Sequence, residues 1–464
     1  MTNFLTQRTS PKLVQVVSLV ALLIFLPLLL LGMREVVTLI SRATGTPANI
    51  VVNTTLKLEM LDLSFYHAFS QGGEESTNML APVVAEVSAL KPKLIRLDHL
   101  YDHYDVVGRQ GGTLTFNWSK LDAAVDTILA TGAKPLLALS YMPAVIAKDG
   151  NIINPPNNWD EWALVVQKTI EHYSGRGGKN ITGMYYEVWN EPDLAQFGSW
   201  RPGTYSTLYR YSSTGASRAT NTNRFFLGGP STTGLYKSWI LALVGSGNRV
   251  DFLSWHTYQR DPTKFAKDQE DIVSWLLPYP NFTLIPKLIT EFGFTGDKST
   301  LYGGPYAAAH AAAVITQLIS GGPTYAFSFQ PKDGPNQEDG SGWGLLTHET
   351  NGKRKKPRYF IYSFIDAMAG QRISLSGLGT WVTGFASTRD SVIRVLLVNF
   401  DTRGTHTENV PVTFGNVTPG TYKLRQRFFL GQDLTFIETV TEQSLARNIL
   451  IPASSVVMLE LTKQ

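Results

Sequence analysis

Cysteine is missing from all 464 residues. Its absence excludes disulfides, thiol nucleophiles and thiolate metal sites, and leaves the compartment open. A strong charge of either sign is missing as well: 41 Lys and Arg stand against 37 Asp and Glu, a formal +4. Spread over this length, with no long basic run and no zinc-type ligand spacing, that balance excludes a nucleic-acid footprint. No carboxylate cluster calls for a catalytic metal, and no cofactor motif stands out. Charged residues make up only 17% of the chain and apolar residues 43%, so there is enough apolar surface for a large core. The length suits two or three domains, or one large barrel with an accessory. Nothing in the sequence sets an oligomeric state.

One long apolar run is present. Leu13 to Met33 is 21 residues without a charge. As a helix it spans the roughly 30 Å hydrocarbon core of a bilayer. A cleaved secretory signal is the alternative, but it has a shorter apolar region of about 7–15 residues followed closely by small residues. Here Met33-Arg34-Glu35 follows, and Ala43-Thr44-Gly45 comes only later. The expectation is therefore a short cytoplasmic tail at 1–12, a membrane anchor at 13–33 and a linker at 34–47. The globular part would lie outside the cytoplasm, and secretion after cleavage is the other possibility. Basic residues flank the run on both sides, at Arg8, Lys12, Arg34 and Arg42, so they do not fix its orientation.

From about Leu56 short apolar strands alternate with helical periods. The pattern predicts strands at Leu56–Ser64, Lys93–Asp98, Lys134–Ser140, Tyr185 onward, Arg224–Pro230, Asp251–Tyr258, Lys287–Gly293 and Thr324–Gln330. Helices are expected over Glu74–Leu90, Trp118–Ala130, Trp159–Tyr173, Tyr205–Thr220, Tyr236–Val244, Thr263–Leu277, Tyr306–Ser320 and Pro357–Ala369. Strands that are apolar on both faces and bounded by Gly or Pro fit a parallel sheet covered by helices. Eight such units predict an α/β fold, a (β/α)₈ TIM barrel over 48–370, with its chemistry at the C-terminal strand ends. A doubly wound sheet would want a Gly-rich loop after its first strand, and Phe65-Tyr66-His67-Ala68 is not one. Beyond Gly370 no helical period remains. Alternating stretches at Arg372–Leu375, Trp381–Ser387, Ser391–Asn399, Val410–Phe414, Thr421–Phe429 and Ser454–Leu461 predict a C-terminal β-sandwich over 371–464. Asn49–Thr54 is β-prone and is a candidate extra strand for it.

Tyr185-Tyr186-Glu187-Val188-Trp189-Asn190-Glu191-Pro192-Asp193 begins as a strand and stops at Pro192, which cannot donate to a sheet ladder. Asn190 and Glu191 are left at the lip of the fourth strand. Lys287-Leu288-Ile289-Thr290-Glu291-Phe292-Gly293 puts a second carboxylate, Glu291, at the lip of the seventh. Two carboxylates facing each other across a barrel mouth are the minimum for cleaving a glycosidic bond. Either glutamate alone would be an ordinary cap or ion-pair partner.

Four features together resemble clan A glycoside hydrolases: Asn190-Glu191-Pro192 after strand four, Glu291 after strand seven, Arg96 on strand two, and His256-x-Tyr258 on strand six. Glu187-Val188-Trp189-Asn190-Glu191-Pro192-Asp193 and Gly342-Trp343-Gly344-Leu345-Leu346 look most like family 39, over roughly residues 56–370 and with a similar sandwich tail. The resemblance extends to anchored, exopolysaccharide-trimming members. It implies that Glu191 is the general acid/base, Glu291 the nucleophile, and Asn190 the partner of the hydroxyl next to the anomeric carbon. Arg96 would keep Glu291 ionised, unless it merely pairs with Asp98. Tyr258 would donate to Glu291, and His256 would contact sugar or Glu191. Tyr141, Trp200, Tyr302 and Trp343 are candidate sugar platforms, or else core packing. The clan usually ends strand eight with a Trp, whereas Phe327-Ser328-Phe329-Gln330 stands here, with Trp343 as a candidate substitute. Lys332–Gly342 reads as a lid or a solvent-facing linker.

The reading is a membrane-anchored retaining glycosidase whose partner is a β-linked poly- or oligosaccharide, with no metal and no cofactor. A polysaccharide-binding protein on the same scaffold and a transglycosylase using the same two carboxylates are the alternatives.

Overall fold

The computed structural model describes residues 45–464 apart from 199, 338 and 339. The expected anchor at 13–33 lies outside the described residues. Among those described, no helix is long and apolar enough to cross a membrane.

Eight short strands close into a parallel barrel. In chain order they are β2 (Ala68–Gln71), β3 (Leu94–Leu97), β6 (Lys134–Leu139), β7 (Met184–Val188), β8 (Phe225–Thr232), β9 (Phe252–Tyr258), β10 (Lys287–Gly293) and β11 (Thr324–Phe329). Each pairs with its sequence neighbour, and β11 closes on β2. The hairpin β4 (Val107–Gln110) and β5 (Thr113–Phe116) sits in the connection after β3. Inside the barrel Ala68, Leu94, Leu136, Tyr185, Phe252, Leu288 and Phe327 pack into a plug. This layer of side chains makes the barrel a solid support, with access only from its ends.

The helices follow their apolar periods. Trp159–Tyr173 is capped by Asn158, whose side chain accepts from the Asp160 N–H at 2.9 Å. It buries Trp162, Val165, Val166, Thr169, Ile170 and Tyr173, a stripe at three- and four-residue steps. Two expectations need correction. The helix expected over Glu74–Leu90 shrinks to a 3₁₀ turn at Ala81–Val83 and a short helix at Val84–Ser88. Pro82 starts a helix readily but cannot continue one from upstream.

The other correction concerns the first strand. Leu56–Ser64 alternates, but Leu56, Leu58 and Met60 face outward, and the stretch belongs to β1 (Ile50–Leu61) in the second domain. The barrel's true first strand, β2, is four residues buried on both faces, with no alternation to betray it.

The C-terminal domain is sheet-rich. It comprises β12 (Gly370–Ser376), β13 (Val382–Arg389), β14 (Val392–Asn399), β15 (Glu408–Gly415), β16 (Gly420–Phe428), β17 (Leu434–Val440), β18 (Ser444–Ile451) and β19 (Ser455–Lys463). With β1 they form one hydrogen-bonded sheet in the order β17-β16-β19-β14-β13-β12-β1-β15-β18. The expected sandwich is thus a single nine-stranded sheet folded over its own core, and Asn399, at the end of β14, donates across it to the Ile451 carbonyl of β18 at 3.0 Å. The unexpected strands, β17 and β18, are its two edges. Leu445, Ile449 and Ile451 of β18 face the core, but exposed Leu434, Ile437 and Leu450 break the apolar alternation that the sequence would have to show. The helix Pro305–Leu318 joins the two domains. Its small residues Ala307–Ala309 and Ala311–Ala313 are buried on every side, between the barrel and β13, β14 and β19.

Candidate active site at the barrel mouth

Arg96, on β3, is the hub. It is fully buried, and its planar guanidinium makes three short charge-assisted bonds. Nε donates to Glu187 Oε2 at 2.6 Å, Nη1 to Glu291 Oε1 at 2.9 Å, and Nη2 to Asn190 Oδ1 at 2.7 Å. Asp98 is near enough to act through its charge but takes no hydrogen bond from Arg96. The simple Arg96–Asp98 pair is therefore not what forms.

Backbone irregularities aim the carboxylates. At the end of β7, Trp189 and Glu191 have positive φ of 76° and 43°, conformations that cost most side chains energy. They swing Glu191 out over the mouth, where its N–H donates to the Ser231 carbonyl at 2.9 Å. On β10 the register slips between Ile289 and Glu291 against β9. A bulge of this kind lets neighbouring residues face the same way. Thr290 Oγ1 donates to Glu187 Oε1 at 2.9 Å while Glu291, next along the chain, reaches Arg96. The slip between Pro230 and Thr232 of β8 likewise turns Ser231 inward, 3.1 Å from His256 Nε2.

The remaining partners close the network. Tyr258 donates to Glu291 Oε2 at 2.7 Å, and His256 Nδ1 lies 2.8 Å from Glu191 Oε1 and 3.6 Å from Glu291 Oε2. One oxygen of Glu191, one of Glu291 and a His256 nitrogen lie within 4.8 Å of one another. Glu291 Oε1 and Oε2 already hold Arg96 and Tyr258, so hydrogen bonding accounts for this cluster. Two other clusters could hold a cation by geometry. In the Glu75–His348–Glu349 group the Lys332 ammonium already sits 2.9 Å from Glu75, and in the His99–Asp102–His103 group His99 Nδ1 bonds Asp102 at 2.7 Å.

Burial raises the Glu291 carboxyl above its ordinary range. His256 and Arg96 pull it back down, and the Glu191 charge adds to the rise. Burial lowers the His256 imidazole, but Glu291 and Glu191 beside it raise it on balance. Glu187 feels the same burial, yet Arg96 and His256 hold it below the usual carboxylate range. Glu74, in the loop after β2, is pushed up to about 7 by burial, and the charges of Asp98 and Glu291 add to this.

The fold thus brings Arg96, Asn190, Glu191, His256, Tyr258 and Glu291 into one network. Tyr141 is buried at 1% exposure, and its hydroxyl accepts from Asn190 Nδ2 at 2.9 Å. It orients Asn190 and offers no open face. Trp200 and Tyr302 are buried in aromatic clusters as well. Trp343 alone among the four is half-exposed; it packs edge-on against Phe329, which in turn meets Tyr258. Lys332–Gly342 is anchored at its base, where the buried Lys356 ammonium binds Asp333, Gly340 and Gly342. Glu187, Ser231 and Thr290 received no role from the sequence. A charged residue inside the apolar run Met184–Val188 was the one available signal.

Comparison with known proteins bears on the family and the fold. The model of the family described as "Glycosyl hydrolases family 39" matches residues 87–391. A beta-xylosidase of Caldicellulosiruptor saccharolyticus is 34% identical over 303 residues, 57% of this chain and 59% of its own length. One from Geobacillus stearothermophilus is 24% identical over 306 residues, 56% and 58% of the two lengths. The alignments therefore span less than two thirds of these curated relatives. The crystal structure of a monomeric beta-xylosidase from Caulobacter crescentus superposes with a TM-score of 0.75 at 19% identity, covering 90% of this chain and 99% of that one. At that identity the likeness establishes the fold.

Proposed function

The chain belongs to glycosyl hydrolases family 39, and on that premise we propose that it is a retaining glycosidase cleaving β-linked poly- or oligosaccharides. The observation that carries this is the short separation of the two carboxylates, with one oxygen of each within 4.8 Å. Retaining enzymes hold the pair about 5–5.5 Å apart, and inverting ones leave about 6.5–9.5 Å for a water. The beta-xylosidase relatives support a β-linked glycan as substrate.

Glu291 attacks the anomeric carbon. Two donors, Arg96 and Tyr258, stabilise its ionised form. Glu191 protonates the leaving oxygen, oriented by His256 Nδ1, which lies 2.8 Å from its Oε1. The covalent glycosyl–enzyme is then opened by water, which Glu191 deprotonates. Asn190, fixed between Arg96 and Tyr141, faces the neighbouring hydroxyl. Action outside the cytoplasm, at a membrane, is part of the same proposal and draws its support from the apolar run Leu13–Met33.

The test follows the first product. An aryl β-glycoside should give the β-anomer first by NMR, and a fluorinated slow substrate should label Glu291. Glu291→Ala should abolish turnover, with azide restoring an inverted product. Glu191→Ala should slow substrates with poor leaving groups by about 100-fold or more and spare activated aryl glycosides. An inverted first product, or a label elsewhere, overturns the assignment. Binding without turnover would favour the non-catalytic reading.

A further inference from the structure

Glu187 touches no reacting atom, yet it is the most completely enclosed carboxylate of the network. Its exposure is 0%, and both oxygens are taken, Oε2 by Arg96 Nε at 2.6 Å and Oε1 by Thr290 Oγ1 at 2.9 Å. A guanidinium is planar and rigid, so fixing its Nε edge fixes where its other N–H groups point. In this site they point at Glu291, 2.9 Å away, and at Asn190, 2.7 Å away. The weaker contacts of Arg96, to Ser70 at 3.4 Å and Ser231 at 3.3 Å, are too long to hold it alone.

We propose that Glu187 is a positioning residue: it clamps Arg96 so that one guanidinium serves both Glu291 and Asn190, and its negative charge offsets Arg96 enough to leave Glu291 a reactive nucleophile. This rests on the function proposed above. Charge bookkeeping across the site carries the second half. Glu291 is faced by Arg96, His256, Tyr258 and Glu191 and by the charges of Asp98 and Glu74. Glu187 is faced by Arg96 and His256, with Thr290, Ser254 and Tyr205 around it. With Glu187 neutral, the whole charge of Arg96 would fall on Glu291 and Asn190, and a carboxylate more tightly stabilised in the ground state attacks more slowly. Without the clamp, a buried guanidinium would be free to settle on Glu291 alone, and Asn190 would lose its orientation.

The experiment compares Glu187→Gln and Glu187→Ala with the wild-type chain, all matched for folding by circular dichroism. Two readouts are taken: the pH profile of kcat/KM on an aryl β-glycoside, and the titration of the Glu291 carboxyl carbon by NMR, assigned with Glu291→Gln. Gln fills the same volume. Its oxygen still accepts from Arg96 and its amide donates to Thr290, so Arg96 stays in place while one negative charge disappears. Both the acid limb and the Glu291 titration should then move down by about half a unit or more, with kcat reduced severalfold and KM little changed. Ala removes the clamp, so kcat should fall at least tenfold further. If Glu187→Gln fails to fold, Thr290→Val removes only the second anchor. It leaves a less satisfied carboxylate against Arg96 and should move the Glu291 titration the opposite way, upward.

Wild-type pH profile, titration and kcat in the folded variants would overturn the inference. A wild-type chain that turns over no β-glycoside, but whose Glu291 titration still shifts in Glu187→Gln, would defeat the proposed function and leave the clamp standing.

Discussion

Arg96 supplies the only formal cation on Glu291 besides His256 among the described residues, and it shares that charge with Glu187. Replacing it by Met would leave two buried carboxylates uncompensated. The expected cost is about 3–5 kcal/mol of stability together with loss of turnover, read by urea unfolding and kinetics. Glu74 acts on stability with a definite sign. Its carboxyl is raised to about 7 from an ordinary 4.5, so the folded state holds a proton that the unfolded chain gives up. Its stabilising contribution is complete below about pH 4.5 and is lost as pH rises through 7. Glu74→Gln should therefore raise the melting temperature relative to wild type at pH 8, and the gain should shrink toward pH 4.5. A gain that is the same at both pH values would show that Glu74 does not hold the proton. Of the residues in the network, Glu191 and Glu291 were legible as a pair, because two carboxylates at lips of the same barrel mouth lack the structural excuse that either alone would have. Ser231 and Thr290 were not, because a hydroxyl inside a strand is common, and only the bulges decide that these two face inward.

The bulges show that an element's irregularity can matter more than its identity. β10 runs over Lys287–Gly293 as the apolar pattern predicts, but a regular strand would send Thr290 and Glu291 to opposite faces. The connection after β11 is held by a different device. Lys356 is 4% exposed, and it reaches Asp333 at 2.9 Å and the carbonyls of Gly340 and Gly342. Lys356→Met should strand Asp333, which also accepts the Gly344 N–H at 2.6 Å. It should cost about 3–5 kcal/mol if the loop cannot relax. Because Trp343 sits on this loop beside Phe329, activity should fall along with stability, and limited proteolysis should cut near Lys332–Gly342 first. Cleavage elsewhere, at wild-type rate, would mean the pair does not hold the loop.

At the scale of the molecule, the chain enters the sheet domain before it enters the barrel. β1 lies between β12 and β15, near one end of the sheet, so the second domain draws on both sides of the barrel in sequence. A chain starting at Thr46 keeps this strand and should fold and retain full activity. One starting at Leu63 loses it, which strips one edge of β12 and leaves β15 and β18 detached, and should aggregate or melt far lower. The full chain should partition with membranes while the chain from Thr46 does not. A mature N-terminus beyond Arg34 recovered from cells would instead mark the run Leu13–Met33 as a cleaved signal.

The sequence by itself determined the barrel's repeat, since seven of its eight strands stand out as apolar runs alternating with helical periods, and such a repeat leaves few other closed arrangements. It also put Glu191 and Glu291 near the ends of their strands, because Pro192 and Gly293 mark where those strands stop. Tertiary structure decided the rest. Which stretch starts the barrel depends on whether outward-facing Leu56, Leu58 and Met60 find partners in a distant sheet. Tyr141 holds Asn190 and is closed to solvent, because Phe197 and Trp189 cover its ring. That one arginine joins Glu187, Asn190 and Glu291 depends on three strands converging at one point. Local sequence can say that each of those residues is charged or polar, but not which neighbour will neutralise it.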